Sequence, residues 1–148
     1  MKTIACACSL ISLASAQSEK PHATAEWITE SSATDPGKSI RTILKMTVDP
    51  GWHTYWINPG EGGLPLKLNA QIPAGWTLGE IQYPAPKQFK TGGLSGFGYE
   101  GEIHFPLLIT PPPKAAKIPP LTATLSWLTC NDDACVPGKA ELSLAPAP

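Results

Sequence analysis

Leu121-Thr122-Ala123-Thr124-Leu125-Ser126-Trp127-Leu128-Thr129-Cys130, continued by Asn131-Asp132-Asp133-Ala134-Cys135, is the stretch on which the fold turns. Leu121, Ala123, Leu125 and Trp127 alternate with Thr122, Thr124 and Ser126. A period of two puts the apolar set on one face of a strand and the hydroxyls on the other. Val136-Pro137-Gly138 then leads into 139–144, where Ala140, Leu142 and Leu144 share one side. The whole reads as a hairpin with two sulfurs near its tip.

Working outward, the same period recurs. Ile40, Leu44, Met46 and Val48 share a parity within 39–48, with Ile43 out of step. Leu66, Leu68, Ala70 and Ile72 do so in 65–72, and Ile103, Phe105, Leu107 and Ile109 in 103–109, with His104 on the solvent side. Shorter segments at 23–29, 52–57 and 76–83 bring the expected count to about eight strands. Glycine (13) and proline (17) make up a fifth of the 148 residues, against a background near 12%. They punctuate the chain too often for a helical bundle. The loops are expected at 57–64, 84–98 and the proline-rich 110–120. Antiparallel strands with one solvated face, separated by such turns, predict an all-β sandwich, with a small barrel as the alternative.

The length fits one domain. Eleven basic and twelve acidic side chains give a formal net charge of -1. A nucleic-acid binder would show a basic excess or stripe. Residues 1–16, MKTIACACSLISLASA, have an early lysine, an apolar stretch and the small-residue ending Ala14-Ser15-Ala16. That is the layout of a secretory signal peptide, and its apolar run is too short to span a bilayer. Its removal from 148 residues leaves 132, the expected domain 17–148, with Cys130 and Cys135 as the only cysteines. Export places that pair where disulfides are chemically possible.

Three chemistries are open to the pair. A structural disulfide is one; a loop of about six residues gives only ~2 kcal/mol by chain entropy. A dithiol that exchanges with a partner disulfide is the second. Asp132 and Asp133 disfavour a nearby thiolate, so neither sulfur is pre-activated. The third is a soft-metal site, zinc or monovalent copper, joining both thiols to His53. His22, His53 and His104 have no metal-ligand spacing among themselves. Gly96-Phe97-Gly98-Tyr99-Glu100-Gly101 matches G-x-G-x-x-G as a string but runs into a strand rather than a helix, so it is no dinucleotide motif. It belongs instead to a flexible glycine-rich loop, 92–98, suited to a lid. Glu100 and Glu102, about 7 Å apart on an extended chain, are expected as solvated surface. In Gly51-Trp52-His53-Thr54-Tyr55-Trp56, alternation sends Trp52 and Trp56 toward the core. His53 and Tyr55 then face the other way and are free to line a pocket.

GWHTYWINPGEGGLP, YPAPKQFKTGGLSGFGYEGEIHFPL and WLTCNDDACVPGKAELSL together resemble the N-terminal periplasmic domain of the transmembrane disulfide reductase DsbD and of the related copper-tolerance protein ScsB. The resemblance runs from about 40 to 144. It implies an immunoglobulin-like β-sandwich with a cysteine-bearing hairpin at one end, located in the periplasm. It also implies a component of a protein-disulfide reductase that needs no cofactor or metal. In that family the domain takes electrons from a thioredoxin-like domain reduced by a membrane-embedded domain. It passes them to oxidised periplasmic proteins such as disulfide isomerases and the thioredoxins of cytochrome c assembly. Carried onto this chain, Cys130 and Cys135 are the redox pair, Cys135 the nucleophile and Cys130 the resolving sulfur. His53 and Tyr55 match the segment that places aromatics beside the cysteines, and Phe89 matches the cap aromatic. Phe97 and Tyr99 are further cap candidates. Two departures stand out: Lys87 and Gln88 precede Phe89 where the family has acidic residues, and His53 replaces a tyrosine. The membrane and thioredoxin-like domains are not in this sequence, which fits either a fragment or a free-standing relative served in trans. A non-catalytic immunoglobulin-like binding module and a copper-binding module are the alternative functions.

Overall fold

The computed structural model describes residues 20–31, 35 and 37–146. The expected signal peptide, 1–16, lies outside them. Among the described residues there are ten strands and no helix: β1 (Ala23–Thr29), β2 (Ile40–Val48), β3 (Thr54–Gly60), β4 (Lys67–Gln71), β5 (Thr77–Leu78), β6 (Lys87–Thr91), β7 (Leu94–Tyr99), β8 (Glu102–Thr110), β9 (Thr122–Cys130) and β10 (Cys135–Pro146). Accordingly no helix there is long and apolar enough to cross a membrane.

Seven strands form one sheet in the order β4-β9-β10-β1-β2-β8-β5, and β3-β7-β6 form a second. The large sheet curls, so that its inward faces meet one another. The result is an immunoglobulin-like sandwich. All its neighbouring pairs are antiparallel except β1 and β10, which run parallel with Trp27 opposite Leu144. The alternating residues supply the core: Leu44, Met46, Phe105, Leu107 and Leu125 are completely buried, with Trp27, Ile109 and Leu121 nearly so. Thr42 completes the inward row of β2 between Ile40 and Leu44. Its hydroxyl accepts from Trp27 Nε1 at 2.9 Å and donates to the Leu107 carbonyl at 3.0 Å, so neither polar group is left unpaired.

Four expectations need correcting. The stretch 84–98 is not a loop: most of it is the β6–β7 hairpin, with Lys87 opposite Gly98 and Thr91 opposite Leu94. Gly92 and Gly93, both at positive φ, are the whole turn. That is the two-residue connection whose twist suits a hairpin. Of 76–83 only Thr77–Leu78 is a strand, because β5 meets β8 over just two residues at the sheet's edge. β3 continues to Gly60, into the expected 57–64 loop. The last strand begins at Cys135 rather than 139, because β10 pairs with β9 all the way to the cysteines.

Hydrogen-bond parity along β9 explains how the cysteine end is built. Asn131 N–H donates to the Ala134 carbonyl at 2.9 Å, and Leu144 N–H to the Leu121 carbonyl at 2.9 Å. Odd residues of β9 therefore bond β10, and even residues turn their N–H and C=O to the other edge. β4 takes that other edge along Thr122–Ser126. Farther on it passes to the β3 segment, where Thr54 Oγ1 donates to the Leu128 carbonyl at 3.1 Å. Pro137 is opposite Leu128, a position whose missing N–H would point away from β9.

Candidate redox site

Cys130 and Cys135 form a disulfide with their Cα atoms 4.1 Å apart. Parity accounts for the closeness. Cys130 spends its N–H and C=O on His53, each bond 3.0 Å long. It therefore faces Cys135 as a non-hydrogen-bonded pair, the kind whose side chains approach most closely. Asn131 Oδ1 accepts from the N–H groups of Asp133 (2.9 Å) and Ala134 (2.8 Å), which fixes the turn between the sulfurs. Burial divides the pair: Cys130 is fully buried and Cys135 is exposed. Of the two cysteines, only Cys135 can be reached from solvent.

The His53–Cys130 bridge also joins the three-stranded sheet to the large one. Residues directly opposite in such a pair project to the same face, so His53, Cys130 and Cys135 form a cross-strand row. Phe89 lies on the His53 ring, with centroids 3.8 Å apart, and Tyr55 meets His53 edge-on at 5.2 Å. His53 Nε2 is 3.3 Å from the Tyr55 hydroxyl and 3.2 Å from the Thr91 hydroxyl. Burial lowers the His53 pKa below its ordinary 6.5, with the charges of Glu100 and Asp132 partly opposing. The ring is thus neutral at pH 7, able to accept a hydroxyl proton at a ring nitrogen. Burial raises the Tyr55 pKa and the Thr91 hydrogen bond lowers it; the net shift is upward, so the phenol keeps its proton.

Glycines let these rings converge. A Cβ on Gly98 would run into the Thr54 carbonyl, one on Gly96 would touch Phe89, and one on Gly63 would enter the Tyr55 ring. The glycines of β7 thus serve close approach of neighbouring strands, not flexibility.

The structure brings together Cys130, Cys135, His53, Tyr55 and Phe89. It places the other two candidates elsewhere. Phe97 points to the opposite side of β7, edge-on to Trp56 at 6.3 Å. Tyr99 is turned to the core, edge-on to Phe105 at 5.3 Å and donating to the Pro84 carbonyl at 2.7 Å. The tryptophans are less enclosed than alternation predicts: Trp52 and Trp56 are half-buried against the core, while His53 and Tyr55 opposite them are buried. The β6–β7 hairpin covers the second face. His104 is on the solvent side of β8, beside Glu102 at 3.1 Å. Among the described residues no three His, Cys, Asp or Glu side chains gather as a metal site. Thr91 is the participant that motif reasoning passes over; its signal is its place just before Gly92-Gly93.

Residues 23–147 match the family model described as the N-terminal domain of the thiol:disulfide interchange protein DsbD. Among solved structures, the N-terminal periplasmic domain of ScsB from Proteus mirabilis is 27% identical with a TM-score of 0.59. The alignment covers 82% of this chain but 44% of that one, so the chain spans less than half of the ScsB domain's length. The reduced N-terminal domain of Neisseria meningitidis DsbD aligns at 12% identity with a TM-score of 0.38, covering 80% of this chain and 82% of that one. No curated protein matches significantly.

Proposed function

From the premise that this chain belongs to the DsbD N-terminal domain family, we propose that it is a periplasmic carrier of reducing equivalents, working through reversible opening of Cys130–Cys135. One observation carries the reading: across a single disulfide, Cys135 is exposed and Cys130 fully buried. An incoming thiolate therefore has one sulfur to attack.

The cycle balances in two halves. A thiolate of a reduced thioredoxin-like donor attacks Cys135 Sγ; the Cys130–Cys135 bond breaks, and Cys130 leaves as a thiolate and takes up a proton. The donor's second thiolate then attacks the donor sulfur of the mixed disulfide, releasing Cys135 with two electrons gained. In the second half, the Cys135 thiolate attacks an acceptor disulfide and expels one acceptor thiolate. Cys130, deprotonated, attacks Cys135 Sγ, remakes the original bond and frees the acceptor reduced. The acceptors are oxidised periplasmic proteins, disulfide isomerases and cytochrome-maturation thioredoxins among them. Electrons reach the donor from a membrane-embedded reductase domain, in cis or in trans.

His53 and Tyr55 line the buried flank of the pair, and Phe89 caps it against stray oxidants. Asp132 and Asp133 next to the sulfurs keep a free thiolate scarce until a partner arrives. The deciding measurement is equilibrium and stopped-flow exchange with a reduced thioredoxin. The expected result is a reduction potential near that of thioredoxin-like partners and rapid two-way exchange. A potential below about -300 mV with no exchange would identify a structural disulfide.

A further inference from the structure

We propose that Thr91 is a positioning residue for the redox pair. Its hydroxyl latches the tip of the β6–β7 hairpin to His53, just before β3, and so controls how often Phe89 lifts from that ring. The proposal rests on the carrier reading above.

β6 is the outer strand of the three-stranded sheet, hydrogen-bonded along its backbone only to β7 among the described residues. Two kinds of side-chain contact attach it to β3 and to His53 just before it. Phe89 lies on His53 and, at 5.9 Å, near Tyr55. Thr91 Oγ1 reaches His53 Nε2 at 3.2 Å, the same ring nitrogen that meets the Tyr55 hydroxyl at 3.3 Å. The ring contact is apolar and non-directional, whereas the hydroxyl contact fixes one geometry. Thr91 occupies the last position of β6, and a Cβ on either following glycine would touch nothing within 4 Å. The latch is therefore the final attachment on that strand before an open turn. The other strand of the hairpin is held separately: Ser95 N–H donates to Glu61 Oε2 at 2.7 Å and its carbonyl accepts from Glu61 N–H at 2.9 Å. Releasing Thr91 leaves Phe89 as the hold on the β6 side, while β7 stays anchored through Ser95 and Glu61. The hairpin then opens on the side of the row His53–Cys130–Cys135. Access to the buried Cys130 rises in proportion to the open fraction, and one neutral hydrogen bond corresponds to roughly three- to tenfold in such an equilibrium.

The test uses the full chain, reduced, with iodoacetamide as the probe. Timed alkylation is read by mass analysis of the Cys130 and Cys135 peptides, the exposed Cys135 serving as the internal control. Thr91→Val, nearly the same shape without the hydroxyl, is expected to be alkylated at Cys130 three- to tenfold faster, with Cys135 unchanged. Thr91→Ser, which keeps the hydroxyl, stays within twofold of the parent. The equilibrium potential of the pair is the same in all three. Equal rates for Thr91→Val and the parent, while Phe89→Ala is faster, would overturn the latch and leave a cap that closes without it. A serine variant as fast as valine would overturn it too, by assigning the effect to the methyl group. Failure of the carrier reading shows separately, as a parent protein that dithiothreitol reduces but a reduced thioredoxin does not.

Discussion

The molecule contains two hairpins built to opposite specifications. β9–β10 has nine register pairs, from Cys130–Cys135 to Thr122–Ser143, and is flanked by β4, β3 and β1. β6–β7 has five pairs and turns an outer strand to solvent. Sulfur exchange needs the first kind, because the resolving thiol must stay in line while the other is bonded to a partner. A cover needs the second kind, since segments that open in function come from the weakly held end of a fold. Rigidity and release are separated here by one bridge, His53 to Cys130.

The sharpest way to break the comparison is to remove one sulfur. Cys130→Ser and Cys135→Ser should each abolish turnover with thioredoxin. Only Cys130→Ser should accumulate a mixed disulfide, because Cys135 then has no neighbour to displace its partner. Non-reducing electrophoresis reads this directly; a trapped adduct on Cys135→Ser instead would reverse the assigned roles. Either change should cost only about 2 kcal/mol of stability in urea, the value of a short closed loop. A second intervention acts on the joint between the hairpins. Gly98→Ala pushes a methyl group into the Thr54 carbonyl and should destabilise the domain by about 2–4 kcal/mol. An unchanged urea midpoint would show that β3 and β7 can separate without cost.

The smallest effect is that of pH. His53 has a folded pKa below its ordinary 6.5, so the unfolded chain binds the proton first as pH falls. Stability is present in full above about pH 6.5 and is lost as pH drops through the folded value. Asp49 and Glu102, with pKa values lowered chiefly by hydrogen bonds to Lys20 and Lys45, act in a separate window below the ordinary carboxylate range. Urea midpoints between pH 7.5 and 5 should therefore fall in the parent and flatten in His53→Gln. A parallel slope in both would remove His53 as the cause.

How legible each hairpin is in the sequence follows from the same contrast. β9 and its neighbours bury one face, so Leu121, Ala123, Leu125 and Trp127 write the strand out in alternation. Thr42 hides within such a pattern because a threonine in the core row can only be understood through its bonds to Trp27 and Leu107. β6 buries little, and two of the three buried positions of β7 are glycines, so Lys87–Thr91 and Leu94–Tyr99 carry almost no period. Only Gly92-Gly93 marks them, and a pair of glycines fits a loop as well as a turn. Phe89 could be picked out by resemblance. Thr91 could not, because its importance arises only when the hairpin brings it to His53.

Pro137 has a consequence for self-association. β10 begins at the exposed Cys135, and its early outward edge, before the β1 pairs at Leu144–Pro146, has no strand partner among the described residues. A second molecule linked through Cys135 would find that edge within reach. Proline at 137 offers no N–H for a ladder there, and Lys139 follows at the next outward position with a charge. Two chains meeting sulfur to sulfur are thereby kept from zipping strand to strand. The adduct between them remains one that a thiol can undo.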